Sequence, residues 1–358
     1  MAQDAPNIDV PLIDLSPFGV GGGNETELEN QQKVALELRN ACEKVGFFYI
    51  IGHGCPPSVM DTMMGYTKRF FDLPQDTKNG LEARNNPLYR GYNSIETGAH
   101  SCTPEDATEH PPDLKESFTI GAETLMTSAA ATSPMHGPNQ WPIEMRLSSV
   151  QGFETAVRQY WDQMSHTVGI RLMQALAMSL ELPIDFFTSK AQRNPHSQMV
   201  LLRYPPAPKE AMSIDDPVSG RRGCGAHTDC GFLTILMQDS EGLEVQKTDG
   251  TWVSAPPLLN EGNEHALVVN LGDMMAHWTN DRYQSTRHRV TNPSFTKTRH
   301  SIPFFLAVDY DTTVETIPSC HYHRKGQVYE PCLSGEYILQ KLGLMHLAKA
   351  GTARLTQS

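Results

Sequence analysis

The sequence predicts an α+β fold, mainly β at its centre, in which a barrel or double-sheet core carries helices supplied largely by the N-terminal half. Three observations predict it. Beyond about residue 195 the chain breaks into short β-rich runs separated by Gly, Pro, Asp and Asn, the pattern of sandwiches and barrels. Before that point apolar residues recur at helical spacing, as at Val34, Leu38 and Ala41. No internal repeat or low-complexity tract divides the 358 residues, so one large core with helical additions accounts for the length.

Taken in order, Val10 to Leu15 reads as a short strand, followed by a helix over about Glu27 to Lys44. Val45 to Ile51 is apolar, too short for a core helix and closed by Gly52-His53-Gly54, so it reads as a buried strand. A second helix fits Pro57 to Phe71 and stops before Pro74. Residues 80 to 140 hold many Pro, Gly and Asn without a sustained period, and read as a long ordered loop region with short pieces inside. A helical region then runs from Trp141-Pro142 to about Leu180, interrupted once at most, with Pro183 beyond its end. Strands are expected at Met199–Tyr204, Leu233–Gln238, Leu243–Gln246, Ala266–Asn270 and Ser301–Val308, and a helix at Gly335–Ala350. This divides the chain into a helical and mixed region (1–195), a β core (196–310) and a C-terminal segment (311–358), packed as one unit.

Composition removes several functional classes. With 39% hydrophobic and 20% charged residues the balance is that of an ordinary globular protein. A formal net charge of -12 and the lack of a basic patch with interleaved aromatics argue against nucleic acid or an anionic membrane as partner. No run approaches the eighteen apolar residues of a membrane span. The seven cysteines show no CxxC and no scaffold spacing, and the first residues lack the plan of a secretory signal. Together these suggest a reducing, cytoplasmic setting.

The chemistry starts at GAHTDCGFLTI, residues 225–235, where His227 and Asp229 stand two apart at the head of an apolar run. On a strand, i and i+2 share a face, and a buried carboxylate needs a cation or good hydrogen bonds. A third candidate, His288, lies in TNDRYQSTRHRV. Two histidines and a carboxylate suit Fe(II) with open positions, though zinc can use the same set and a hydrogen-bonded His-Asp pair would look alike. The run Thr298 to Leu306 adds Arg299 and Ser301 on one strand face. A guanidinium fork beside a hydroxyl suits the far carboxylate of a small dicarboxylate whose 2-oxo acid end chelates the metal.

These motifs, in order, resemble the non-haem Fe(II)- and 2-oxoglutarate-dependent oxygenases of the isopenicillin N synthase-like group. HTDCG, NLGD, WTNDRYQSTRHRV and RHSIPFF carry the resemblance, with VPLIDLS, EKVGFFYIIGHG, FFDLP, RGY, DLKESFTIG and GPNQWP upstream and GEYILQKL near the end. It covers about residues 9 to 348. It implies a distorted double-stranded β-helix (jelly roll) wrapped by helices. It also implies Fe(II) on His227, Asp229 and His288, and 2-oxoglutarate on Arg299 and Ser301 with Tyr204 of LLRYPP assisting. Many plant members place an asparagine two residues before that tyrosine. Leu202 stands here, and that contact is not carried over. His300 is expected to face away from Arg299.

The implied reaction couples 2-oxoglutarate and dioxygen, giving succinate and CO2, to oxidation of a C–H bond in a small-molecule metabolite. Hydroxylation, desaturation and ring closure are all open to it, and ascorbate is a further implied reductant. No protein acid or base is required. Phe305, on the Arg299 face, is a candidate to touch the substrate and equally an ordinary core residue. Tyr92, in RGY, is a second candidate at the pocket mouth. Other readings of the same motifs are an iron oxidase that uses no 2-oxoglutarate, a binding protein that kept the fold, and a zinc hydrolase.

Overall fold

The computed structural model describes residues 10–19, 24–95, 113–123, 133–142, 148–207, 222–259, 265–292, 294–323 and 329–343. The strands are β1 (Leu12–Asp14), β2 (Phe47–Ile51), β3 (Gly91–Asn93), β4 (Glu116–Gly121), β5 (Gln198–Tyr204), β6 (Arg222–His227), β7 (Leu233–Gln238), β8 (Leu243–Gln246), β9 (Trp252–Ser254), β10 (Leu267–Leu271), β11 (His288–Thr291), β12 (Arg299–Leu306), β13 (Thr313–Val314) and β14 (Cys332–Leu333). A large sheet runs β1-β2-β10-β7-β12-β5-β4-β3 and a smaller one β6-β11-β8-β9. Two facing sheets joined in this order form the jelly-roll core. The large sheet draws strands from both sides of residue 195.

Helices pack the outer face of the large sheet. The helix Glu25–Lys44 starts at Asn24, whose side chain accepts from the Glu27 N–H, and buries Val34, Leu38 and Ala41. The helix Pro57–Phe71 buries Met60, Met63, Phe70 and Phe71. The expected start of the long helical region, just after Trp141-Pro142, lies outside the described residues, and the described part opens with a 3-10 turn at Ser148–Val150. Gly152 adopts a left-handed conformation, φ 85°, and Phe153–Asp162 follows it. From Phe153 onward the course is helical, with a π segment, Gln163–Val168, that passes directly into the helix Gly169–Ser179. Bulky, buried Met164, Val168, Leu172 and Leu176 on these turns belong to the helix–sheet core.

The expected loop region between 80 and 140 contains β3 and β4. Their cavity-facing positions, Asn93, Ser117 and Thr119, are polar, so these strands lack the apolar density that marks the others. The strands β6 and β11, which carry the two histidines, are likewise absent from the expected strands, apart from the His227 end of β6. The C-terminal helix spans Ser334–Lys341. It ends earlier than expected, at a turn through Leu342 and Gly343, where Gly343 has φ 68°, and the expected course beyond Gly343 lies outside the described residues. Among those described, no helix is long and apolar enough to cross a membrane.

The apolar interior falls into two parts. One lies between the helices and the large sheet. A smaller cluster, including Phe47, Tyr49, Leu236, Val245, Val268 and Val290, lies between the two sheets. The space left between the sheets is a cavity of about 390 Å³.

Candidate metal and cosubstrate site

His227 ends β6 and His288 opens β11, and the two are direct register partners across that antiparallel pair. Asp229 lies beyond β6, in the turn before β7. His227 and Asp229 therefore do not share the strand face that their spacing suggests, and the turn brings them together instead. The ligand atoms of His227, Asp229 and His288 all lie within 4.8 Å of one another. Both histidine Nε2 atoms are 3.7 Å from Asp229 Oδ1.

The surroundings aim these atoms at a common point. His227 Nδ1 lies 2.7 Å from the Gly225 carbonyl and His288 Nδ1 3.2 Å from the Thr286 carbonyl. Each Nδ1 therefore carries a proton, which leaves each Nε2 as the atom that can give a lone pair to a metal. Asp229 Oδ2 accepts from Asn270 Nδ2 at 2.8 Å and from the Thr234 hydroxyl, leaving Oδ1 to face the histidines. Burial opposes the Asp229 charge, but His288, His227 and these two hydrogen bonds hold its pKa below the ordinary carboxylate value. An ionised carboxylate and two imidazole lone pairs in one buried corner fit a divalent metal.

The second half of the site is on the large sheet. Arg299 and Ser301 share one face of β12, and Tyr204 on β5 is the register partner of Arg299. The Arg299 side chain donates to Ser301 Oγ at 3.1 Å and to Gln238 Oε1 at 2.7 Å, and its guanidinium sits 4.9 Å from the Tyr204 ring centroid. Arg299 is 1% exposed and its Nε has no partner. Among the described residues no carboxylate lies within ion-pair distance of it. Burial pulls its pKa below the ordinary guanidinium value, opposed by Tyr204 and Asp239. A buried cation without a counter-ion is costly, so this one is built for an anionic ligand. His300, on the opposite face, turns to Asp239, with Nδ1 3.1 Å from Oδ2.

The cavity joins the two halves, and Phe305 lines it. Tyr92 does not. It is 1% exposed, its hydroxyl donates to Glu116 Oε2 at 2.6 Å and its ring packs near Phe70, so it belongs to the helix-side core. Strand parity is the reason: on β3 it is Asn93 that faces the cavity.

Sequence reasoning also passed over several groups. Asn270, Thr234 and Gln238 orient the site residues, and only the register of β7, β10 and β12 reveals them. Lys115, just before β4, lies 2.9 Å from Asp113 Oδ2 and 3.1 Å from Cys224 Sγ, with its ammonium at the cavity wall. Counting back from Tyr204 in steps of two would have found Gln198.

The comparisons with known proteins agree with this geometry. Residues 10–144 match the model for the non-haem dioxygenase in morphine synthesis N-terminal region, and residues 195–308 match the 2OG-Fe(II) oxygenase superfamily. The chain is 32% identical over 344 residues to homoarginine-6-hydroxylase 2-ODD-233 of Oryza sativa subsp. japonica, covering 93% of this chain and 96% of that one. It is 34% identical to the 2-oxoglutarate-Fe(II) type oxidoreductase hxnY of Emericella nidulans, covering 89% and 84%. Its structure is similar to that of a full-length Neurospora crassa protein solved in complex with alpha-KG, at a TM-score of 0.76 and 28% identity, covering 95% and 98%. With this match of sequence, fold and ligand geometry, the chain belongs to the non-haem Fe(II)- and 2-oxoglutarate-dependent oxygenases, enzymes that oxidise C–H bonds with 2-oxoglutarate and dioxygen as co-reactants.

Proposed function

We propose that His227, Asp229 and His288 hold the Fe(II), that Arg299, Ser301 and Tyr204 hold the far carboxylate of 2-oxoglutarate, and that the enzyme hydroxylates a small molecule seated against Phe305. The observation that carries this reading is the buried, carboxylate-free guanidinium at one end of the cavity whose other wall holds the three convergent ligands. When bound, the iron and 2-oxoglutarate supply the oxidising chemistry.

The side chains do the rest. His227 and His288 offer neutral nitrogens fixed by the Gly225 and Thr286 carbonyls. Asp229 offers one oxygen while Asn270 and Thr234 tie down the other. Arg299 replaces the water that a free carboxylate would hold. The charges also balance: the two negatives of 2-oxoglutarate and the one on Asp229 meet the divalent metal and Arg299. Val200, Leu202, Leu236 and Pro303 line the remainder and keep it dry.

The proposed site has no protein acid or base, because the reaction needs none. We place Fe(II), 2-oxoglutarate, dioxygen and one small-molecule substrate in the working complex. The relatives named above include a homoarginine hydroxylase, and the Neurospora crassa protein also forms a complex with thymine, so kinship alone does not select the substrate.

The test is the 2-oxoglutarate dissociation constant of the oxygen-free Fe(II) protein. Losing a buried charge partner costs about 2–5 kcal/mol, so Arg299→Ala should weaken binding by roughly 30-fold or more. Arg299→Lys should recover little, because lysine lacks the planar fork. An unchanged constant in both variants would refute the assignment of Arg299.

A further inference from the structure

The cavity face of β5 changes character along its length. From Tyr204 at the cosubstrate end, steps of two reach Leu202, Val200, Gln198 and, just before the strand, His196, and all of them line the cavity. Phe305 is the register partner of Gln198. The cavity thus has an ionic end, an apolar middle, and a polar end made by Gln198 and His196 beside the Phe305 ring.

Two features of the polar end call for a ligand. His196 is 4% exposed, and neither ring nitrogen has a hydrogen-bond partner. The Val308 carbonyl lies near enough to favour its charged form slightly, without forming a hydrogen bond. Native interiors rarely leave both nitrogens of a buried imidazole unmatched. Burial, and then the neighbouring His136, push the His196 pKa down to about 3, so the ring is neutral, with one donor and one acceptor. Gln198 adds a carboxamide, half-buried at the cavity wall.

Charge completes the argument. Among the described residues, the charged side chains lining the cavity, apart from histidine, are Lys115, Asp229 and Arg299. Asp229 and Arg299 belong to the ionic end, and Lys115 is tied to Asp113 and Cys224. Among the described residues the polar end has no lining charge to match one on a substrate, and the metal, cosubstrate, Asp229 and Arg299 are already neutral as a set.

We propose that Gln198 and His196 form the recognition subsite for the primary substrate, and that this substrate is an uncharged molecule with a flat apolar body and a cis-amide edge. A carboxamide pairs with a lactam-type edge through two parallel hydrogen bonds, one in each direction, and the neutral imidazole matches an adjoining donor or acceptor. The Phe305 ring covers the flat body. This assignment rests on the proposed placement of 2-oxoglutarate at Arg299, which leaves the polar end for the second substrate.

The experiment titrates the oxygen-free Fe(II)·2-oxoglutarate protein and follows its metal-to-ligand charge-transfer band. The probes are 2-piperidone, 2-pyridone and 3,4-dihydroquinolin-2-one, with their N-methyl forms. L-Lysine, L-arginine and phenylacetate are the charged comparators. At least one lactam should shift the band saturably, its N-methyl form should bind roughly tenfold more weakly or worse, and the charged compounds should not compete. Gln198→Leu and His196→Phe should each weaken the lactam by roughly tenfold or more while the 2-oxoglutarate constant stays put. Gln198→Glu, which keeps the shape of the side chain, should lose the lactam and gain affinity for L-lysine. The inference is overturned if no lactam binds, if a charged comparator binds best, if N-methylation makes no difference, or if the variants bind lactams like the wild type. A failure of the underlying reading looks different: the charge-transfer band would not form on adding 2-oxoglutarate.

Discussion

The two site histidines face the same carboxylate in different protonation environments. In the metal-free site, burial opposes charge on His227, but Cys224 and then Asp229 outweigh it and raise the pKa to about 9. Burial and the charge on His227 push His288 down to about 4. At neutral pH the metal-free pair therefore carries one proton beyond those on the two Nδ1 atoms, on His227 Nε2, and the metal has to displace it. Because proton and metal compete for the same nitrogen, metal affinity rises with pH. The Mn(II) association constant should climb close to tenfold per unit between about pH 6 and pH 8, and level off above about 9. Affinities measured across that range, with the proton release on binding, check this. A flat profile would mean that His227 is already neutral without metal. Residue identity was the most legible level of the sequence. His227, Asp229, His288, Arg299, Ser301, Tyr204 and Phe305 all reach one cavity. Tyr92 does not, because a three-residue strand offers no alternation from which to read its parity.

Elements were legible where apolar density marked them and silent where the cavity did. The strand β7 buries every position and β2 nearly so, and both stood out in the sequence. The strands β4 and β6 place Ser117, Thr119, Cys224 and His227 toward the cavity; the polar and small residues of β4 read as loop, and β6 is legible only at its His227 end. Function thus erased the signal of the strands that carry it. The connection from β10 to the helix Asp273–Trp278 shows how an element positions a ligand. The Asp273 N–H donates to the Asp229 carbonyl at 2.7 Å and the Gly272 N–H to the Phe232 carbonyl at 3.1 Å, so the Asp229 turn is stitched to the end of β10. A Cβ on Gly272 would collide with the Gly231 carbonyl and stand 2.9 Å from that of Asp229. These are backbone atoms and cannot rotate away. Gly272→Ala should cost about 1–3 kcal/mol of stability, as overpacking does. It should also lower Mn(II) affinity by roughly 10- to 100-fold, the effect of disturbing a group that orients a ligand. Thermal unfolding and metal titration of the same variant check both. A stability loss with unchanged metal affinity would mean that the turn holds Asp229 independently of β10.

At the scale of the whole molecule, packing and chemistry occupy opposite faces of one sheet. The larger apolar core lies on the helix side, and none of the three metal ligands belongs to it. The space between the sheets holds a smaller apolar cluster and the buried Asp229 and Arg299, each matched fully only by a ligand. The fold should therefore survive removal of the metal and gain stability as the cavity fills. A ligand that binds only the folded state at a hundred times its dissociation constant adds about 2.7 kcal/mol, and in chains of 150–250 residues each kcal/mol moves Tm by about 2–4 °C. Mn(II) at that excess should raise Tm by a few degrees, and 2-oxoglutarate should add a further shift once metal is present. His288→Ala should unfold near the Tm of the metal-free wild type and lose most of both shifts, because the metal has lost a ligand and the cosubstrate its anchor. Arg299→Ala should keep the Mn(II) shift and lose the additional one from 2-oxoglutarate. Four melting curves per protein, with neither ligand, each alone and both together, test this. A 2-oxoglutarate shift that persists in His288→Ala without bound metal would place the cosubstrate's main anchor on the sheet, not on the iron.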